Sequence, residues 1–115
     1  MSLKRIQRVN QLIKEEISKI ILRELEFSSN ILVTITRVET SENLRDSNVF
    51  VSVLPEENLD KVIDLFSKKV GFLQGKLNAV LRMRPLPKLK FLKEKETAQA
   101  ARIEEILEQL KKEEK

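Results

Sequence analysis

The sequence contains no cysteine, no histidine, no tryptophan and no tyrosine among its 115 residues. Because cysteine is absent, the chain can form neither a disulfide nor a thiolate metal site. The absence of histidine removes the commonest general base and the usual zinc ligand, together with every pairing of a nucleophile with an imidazole. These absences argue against a metal site and against most kinds of enzyme active site.

Long apolar runs are also missing, because no window approaches the roughly 18 apolar residues that suggest a membrane-spanning helix. The N-terminal residues lead into an amphipathic stretch and not into the continuous apolar segment of a signal peptide. The 41% hydrophobic content and the length suit one globular domain with a modest core. We therefore expect a cytoplasmic protein that contacts no membrane.

Apolar spacing predicts the elements of the first half of the chain. Over residues 3–26, apolar side chains recur every three or four positions, which predicts a helix. The β-branched run 31–39 and the alternating valines of 49–53 predict two antiparallel strands, the second ended by Pro55. We expect Leu44 to anchor the polar link between the two strands.

The second half of the chain is predicted to be helical over 56–84, with Gly71 and Gly75 in the middle of its apolar stripe. A glycine costs about 1 kcal/mol relative to alanine inside a helix, so we expect a bend at Gly71 that separates two helices. Alternation of lysine with leucine and phenylalanine over 88–91 predicts a third strand. A short apolar stripe over 97–115 predicts a charged C-terminal helix.

Positive charge is concentrated in one part of the sequence. Between Asp64 and Glu94 lie 29 residues without an acidic side chain. The basic residues of this acid-free stretch are Lys68, Lys69, Lys76, Arg82, Arg84, Lys88, Lys90 and Lys93. The rest of the chain carries 14 basic and 18 acidic residues, a net charge of −4, although the whole chain has +4. This polarity favours a surface that binds nucleic acid; the alternative is a solvated face whose lysine stems cover the core.

Common ligand motifs do not fit this sequence. The string Gly75-Lys76-Leu77 lacks the hydroxyl residue that completes a phosphate-binding P-loop. Polar residues around the two glycines exclude the glycine motif of membrane helix dimers. An RNA-recognition motif needs clustered aromatic residues on its strands, and the strands offer only Phe50 and Phe91, which we expect in the core.

Several strings resemble the ribosome-binding factor A family in their order and spacing. They are Gln7-Arg8-Val9, Val38-Glu39-Thr40-Ser41 followed by Leu44, Val49-Phe50-Val51, Gly71-Phe72-Leu73 and the whole string from Leu81 to Phe91. The resemblance runs from about residue 7 to residue 94. The chain departs from the family at Lys69, where a small residue is usual, at Gln74, where arginine is common, and at Glu94, where aspartate is usual.

The resemblance implies an α+β fold of the type II KH-like class over residues 1–96. Its element order is α-β-β-α-kink-α-β, with a three-stranded sheet, and the charged helix of 97–115 follows it. In this family a kink between two helices, here placed at Gly71, stands where other KH domains have a nucleotide-clamping loop.

The resemblance also implies binding to the free 30S subunit, contact with 16S rRNA near its 5′ helix and decoding region, and assistance in late subunit maturation. It implies no catalytic residue, no cofactor and no small-molecule substrate, and we expect a monomer. The RNA contacts carried over by position are Arg8, Lys76, Arg82, Arg84, Lys88 and Lys90. Arg37, Arg45, Lys68 and Lys69 are added on their chemistry alone. The alternative for each of them is a surface ion pair or a solvated charge.

Two other functions stay open at this point. A KH-like module could bind another RNA, such as tRNA or messenger RNA, and the RNA that copurifies would distinguish it. A protein-interaction module could use the final helix, which carries Glu104, Glu105, Lys111 and Lys112. Association that is insensitive to salt would favour the protein-interaction module.

Overall fold

Helices and strands follow one another in the order that the sequence predicts. The computed structural model describes residues 3–83 and 86–94. The elements are α1 (Leu3–Glu24), β1 (Leu32–Thr40), β2 (Asp46–Leu54), a short 3-10 helix (Glu56–Asn58), α2 (Leu59–Lys68), α3 (Val70–Val80) and β3 (Lys88–Lys93). The predicted α+β class is confirmed. The helix expected over 97–115 lies outside the described residues, so that helix and the domain boundary at residue 96 stay predictions.

Strand β2 lies at the centre of a three-stranded sheet, antiparallel to β1 and parallel to β3. Val49 of β2 is level with Val38 on one side and with Phe91 on the other. The register of β1 shifts between Ile35 and Arg37, where one extra residue has no partner and the strand can bend. The predicted antiparallel pairing of the first two strands is confirmed.

The buried side chains of β2 lie on one face of the sheet. Val49, Val51 and Val53 are buried, whereas the residues between them are only partly covered. Because side chains alternate between the two faces of a strand, Phe50 lies on the opposite face, here called the open face. The expectation that Phe50 belongs to the core is therefore wrong. Its ring is covered instead by the guanidinium of Arg37, 3.9 Å from the ring centroid.

The helices pack on the buried face. The buried residues of α1 have the predicted helical spacing and are Val9, Ile13, Ile17, Ile20 and Ile21. Phe66 of α2 is fully buried, and its ring centroid lies 6.1 Å from that of Phe27 and 5.0 Å from that of Phe91. Tilted and edge-on aromatic pairs of this kind stabilise a core beyond the area they bury. Phe91 thus belongs to the core, as predicted.

The long helical region divides into two helices, as predicted, but the break lies at Lys69 and not at Gly71. Lys69 has φ −97° and ψ 6°, a conformation that residues with side chains adopt in turns. Its N–H donates to the carbonyl of Leu65, and its carbonyl accepts from the N–H of Leu73. Neither glycine has a positive φ, and Gly71 lies in the first turn of α3. The glycines lower the helix propensity of the region without fixing where it bends.

Helix α3 is also shorter than predicted. It ends at Val80, before residue 84, because Leu81 is already extended with φ −91° and ψ 118°. Two prolines follow in the sequence, and proline cannot continue a helix. Within residues 3–83 and 86–94, no helix is both long enough and apolar enough to cross a membrane.

The turn between β1 and β2 is built around a buried leucine. Leu44 is 4% exposed, so the predicted anchor is confirmed, and its φ of 59° is rare for a residue with a side chain. Its N–H donates to the carbonyl of Ser41, whose hydroxyl accepts from the N–H of Asp46. These bonds hold the strained residue in place. At its other end β2 stops at Leu54, as predicted, before a cis peptide bond to Pro55.

Candidate nucleic-acid interface

The acid-free stretch supplies positive charge to the open face of the sheet. Lys88 and Lys90 alternate with the buried Leu89 and Phe91 on β3, so their side chains project away from the helices. Arg45 lies beside them, because its carbonyl accepts a 2.8 Å hydrogen bond from the N–H of Lys88. Arg45, Lys88 and Lys90 are all exposed and are called the strand group below.

A second group of basic residues lies on the helices. Lys68 ends α2, Lys69 occupies the break and Lys76 lies on α3; these three form the helix group. The Nζ of Lys68 lies 3.0 Å from Oδ2 of Asp64, and the Nζ of Lys76 lies 3.7 Å from Oε1 of Glu24. Ion pairs in contact with solvent contribute about 0–1 kcal/mol, so both lysines can exchange a carboxylate for a phosphate at little cost.

The ring of Phe72 lies within the helix group. All five phenylalanines belong to the described residues, and Phe72 alone among them is exposed, at 45%. The Nζ atoms of Lys76 and Lys69 lie 5.5 and 6.0 Å from its ring centroid. Sequence reasoning missed this residue as a candidate. The sequence does indicate that Phe72 is exposed, because it lies off the apolar stripe of α3, whose buried residues are Leu73 and Leu77.

Arg37 is held by residues of its own chain. Its Nε lies 3.2 Å from both carboxylate oxygens of Glu94, and its Nη1 donates to the carboxylate of Glu39. Its guanidinium also covers the ring of Phe50. An arginine paired with two carboxylates has less positive charge to offer a phosphate. These contacts match the ion-pair alternative, and RNA contact by Arg37 stays a prediction.

The remaining predicted RNA contacts are only partly placed. Arg8 is exposed on α1 and Arg82 is exposed after α3, whereas Arg84 lies outside the described residues. The structure thus brings the strand group together on the open face and the helix group together on the helical layer. The two groups therefore belong to different layers of the domain. Among the described residues, no three acidic, cysteine or histidine side chains gather as metal ligands would.

Known proteins with similar sequences belong to one family. A sequence model of the family described as Ribosome-binding factor A matches residues 5–107. Ribosome-binding factor A from Thermodesulfovibrio yellowstonii is 33% identical over 109 residues, which cover 95% of this chain and 92% of that protein. Ribosome-binding factor A from Carboxydothermus hydrogenoformans is 37% identical over 109 residues, which cover 93% of this chain and 86% of that protein.

Solved structures of similar proteins share the fold. A Thermus thermophilus ribosome binding factor A model, fitted into a cryo-electron microscopy map of a 30S complex, has a TM-score of 0.61 and 26% identity. The match covers 72% of this chain and 88% of that one. The crystal structure of the factor from the same species has a TM-score of 0.57 at 23% identity, covering 81% of this chain and 97% of that one. The predicted KH-like fold is confirmed by these likenesses.

Proposed function

The chain belongs to the ribosome-binding factor A family, and we propose that it is a non-enzymatic assembly factor that binds the free 30S subunit. Its contact is 16S rRNA near the 5′ helix and the decoding region, and its role is in late maturation of the subunit. It acts as a monomer in the cytoplasm, without a cofactor or a small-molecule substrate.

The observation that carries the proposal is the likeness to the Thermus thermophilus factor, which was fitted into a map of its complex with the 30S subunit. The shared fold and the 26% identity support a common partner. The exposed basic residues supply the matching chemistry, because lysine and arginine that neutralise phosphates release condensed counterions and so add to affinity. Both the strand group and the helix group can act in this way.

Another RNA, such as tRNA or messenger RNA, is the second candidate ligand, because charge alone does not distinguish one RNA from another. A partner protein is the third. Each alternative differs measurably from the proposal. If another RNA is the ligand, that RNA should displace the chain from small subunits. If a partner protein binds through an apolar contact, the affinity should change little with salt.

Cosedimentation with free small subunits, whole ribosomes and tRNA tests the proposal. We expect selective binding to free small subunits that weakens steeply as salt rises. For about four phosphate contacts, a rise from about 50 mM to about 200 mM salt should lower affinity by about 50- to 150-fold. Preference for tRNA, or association that salt leaves unchanged, would contradict the ribosomal assignment.

A further inference from the structure

Three side chains near the start of α3 combine an apolar ring with positive charge. Lys69, Phe72 and Lys76 are three and four positions apart, a spacing that brings residues of a helix to one side. Phe72 keeps 45% of its surface exposed, although both ammonium groups lie within 6.0 Å of its ring centroid. A large apolar side chain therefore contacts water at the centre of a basic surface.

Stacking on aromatic rings and neutralisation of phosphates are the two interactions by which proteins hold single-stranded nucleic acid. Every base has a π-face and can stack on an accessible phenylalanine, while neighbouring lysines bind the phosphates. We propose that Phe72 is a stacking platform for one unpaired RNA base, and that Lys69 and Lys76 bind the flanking phosphates. This inference rests on the proposed function and specifies unpaired RNA as the ligand of the helix group.

The lysines leave the ring accessible to a base. Distances of 5.5 and 6.0 Å from the centroid are near the outer limit of about 6 Å for a cation–π contact, so this attraction is weak. Both ammonium groups are carried on long flexible stems that can move toward a phosphate. The helix surface near the ring is open as well, because a Cβ added at Gly71 or Gly75 would meet no atom within 4 Å apart from its chain neighbours and the backbone of its own helix.

Unpaired RNA fits this surface better than the other classes of ligand. A duplex offers no free base face, because its bases are stacked on one another. A partner protein would have to cover the ring together with two lysines, and lysine is depleted at protein interfaces. The charge of the helix group favours a polyanion, and the ring favours one with exposed bases.

Binding to free small subunits tests the platform with two substitutions at one position. Phe72→Leu keeps an apolar side chain and removes the π-face, whereas Phe72→Tyr keeps the ring. We expect Phe72→Leu to weaken binding about tenfold, within the range of about 5- to 150-fold that corresponds to the loss of one stacked base. Phe72→Tyr should bind like the unchanged chain. Leu32→Ala, which removes another exposed apolar side chain, is the matched control and should also bind normally.

Thermal denaturation of the same variants establishes that each is folded, as expected for substitutions at exposed positions. Unchanged binding by Phe72→Leu would overturn the platform. Equal weakening by Phe72→Leu and Phe72→Tyr would overturn it too, because that result indicates a pocket shaped for phenylalanine, such as a partner protein offers.

Fluorescence gives a second test, because the chain has neither tryptophan nor tyrosine. Phe72→Trp places a single fluorophore at the platform. A single-stranded oligoadenylate of about twelve nucleotides should quench it, because the stacked base contacts the indole. A blunt RNA duplex of the same length should not, and Leu32→Trp should be quenched by neither. Equal quenching of the two variants, or quenching by the duplex alone, would overturn the inference.

The two measurements separate this inference from the proposed function. If the unchanged chain does not bind small subunits, the proposed function is wrong. The oligoadenylate titration then shows by itself whether Phe72 stacks on an unpaired base. If the chain binds subunits, and the variants show neither weaker binding nor quenching, the platform fails and the proposed function stands.

Discussion

The carboxylate of Glu94 lies 3.2 Å from the guanidinium of Arg37, although these residues belong to opposite edges of the sheet. Glu94 directly follows β3, and its side chain crosses β2 to reach Arg37 and the hydroxyl of Thr36 on β1. Its backbone N–H donates to the carbonyl of Val51 on β2 at 2.8 Å. One residue thus connects all three strands.

Replacing this carboxylate should weaken the sheet and remove one of the two carboxylates that pair with Arg37. Arg37 and Glu94 keep 40% and 21% of their side-chain surface exposed, so solvent screens the pair. We expect Glu94→Gln to lower the free energy of unfolding by about 0.5–1 kcal/mol, measured by urea denaturation. If Arg37 binds rRNA, the variant should also bind small subunits more tightly. The control is the double variant that also carries Arg37→Gln, which should show no such gain in binding. A Glu94→Gln chain more stable than the unchanged chain would contradict a stabilising role for the Glu94–Arg37 ion pair.

Gly75 lies inside α3 at an exposed position where an added Cβ would meet no atom within 4 Å. Because alanine favours a helix interior by about 1 kcal/mol over glycine, Gly75→Ala should raise the free energy of unfolding by about 0.5–1 kcal/mol. Ala79→Gly, at another exposed position of the same helix, is the reverse substitution and should lower it. Denaturant titration measures both. Destabilisation by Gly75→Ala would mean that α3 is irregular at this position.

The regular parts of the fold were predictable because a single period determines which side chains reach the core. The apolar stripe of α1 and the alternating valines of β2 have such periods, and both elements were predicted. The helix break at Lys69 was not predicted, because most residue types can adopt its backbone conformation and no particular residue in the sequence indicates it. The pairing of Glu94 with Arg37 joins residues 57 positions apart, and no local pattern encodes it.

The candidate site was predictable in its charge and not in its arrangement. The acid-free stretch identified basic residues that proved to be exposed, such as Lys69 and Lys88. Their separation into two groups depends on how β3 alternates relative to the helices, which only the packed structure defines. The exposure of Phe72 likewise depends on how α3 is turned against its neighbours. Charge is a property of composition, whereas accessibility is a property of packing.

Removing residues 97–115 should leave the fold intact, because the buried core of the described residues extends only from Val9 to Phe91. The removed segment carries one short apolar stripe in the sequence. Thermal denaturation of the shortened chain measures the effect. A fall in Tm beyond about 8 °C, which corresponds to more than about 1 kcal/mol for a domain of this size, would show that the segment belongs to the core.

Charge reversal should identify the rRNA-facing surface. Replacing Arg82, Arg84 and Lys88 together by glutamate should weaken binding to small subunits strongly, because three favourable phosphate contacts become repulsive. Arg8→Glu should act in the same direction if the start of α1 lies on that surface. Arg8, Arg82 and Lys88 are exposed. Surface substitutions typically change stability by about 0.5 kcal/mol, so the charge reversals at these three positions should leave the domain folded. Undiminished binding by the folded triple variant would place the interface elsewhere.

Salt dependence distinguishes the strand group from the helix group. Each lysine that contacts a phosphate adds about 0.7–0.9 to the slope of log affinity against log salt. Neutralising Lys88 and Lys90 to glutamine should therefore reduce the slope by about 1.4–1.8 if the open face binds rRNA. The double variant Lys69→Gln with Lys76→Gln should reduce the slope by the same amount if the helix group binds rRNA.

The matched control for both pairs is Lys19→Gln with Lys61→Gln, which removes two exposed lysines from outside the acid-free stretch. The control lowers the net charge by as much as each test pair does. A change in slope that all three double variants share therefore reports long-range attraction and not direct contact with phosphates. A reduced slope in both test pairs, and not in the control, requires RNA that reaches around the edge of the domain, because the two groups lie on different layers. Equal slopes in all three pairs would exclude Lys69, Lys76, Lys88 and Lys90 as phosphate contacts. Among the described residues, Arg8, Arg45, Lys68 and Arg82 would then be the predicted contacts to test next.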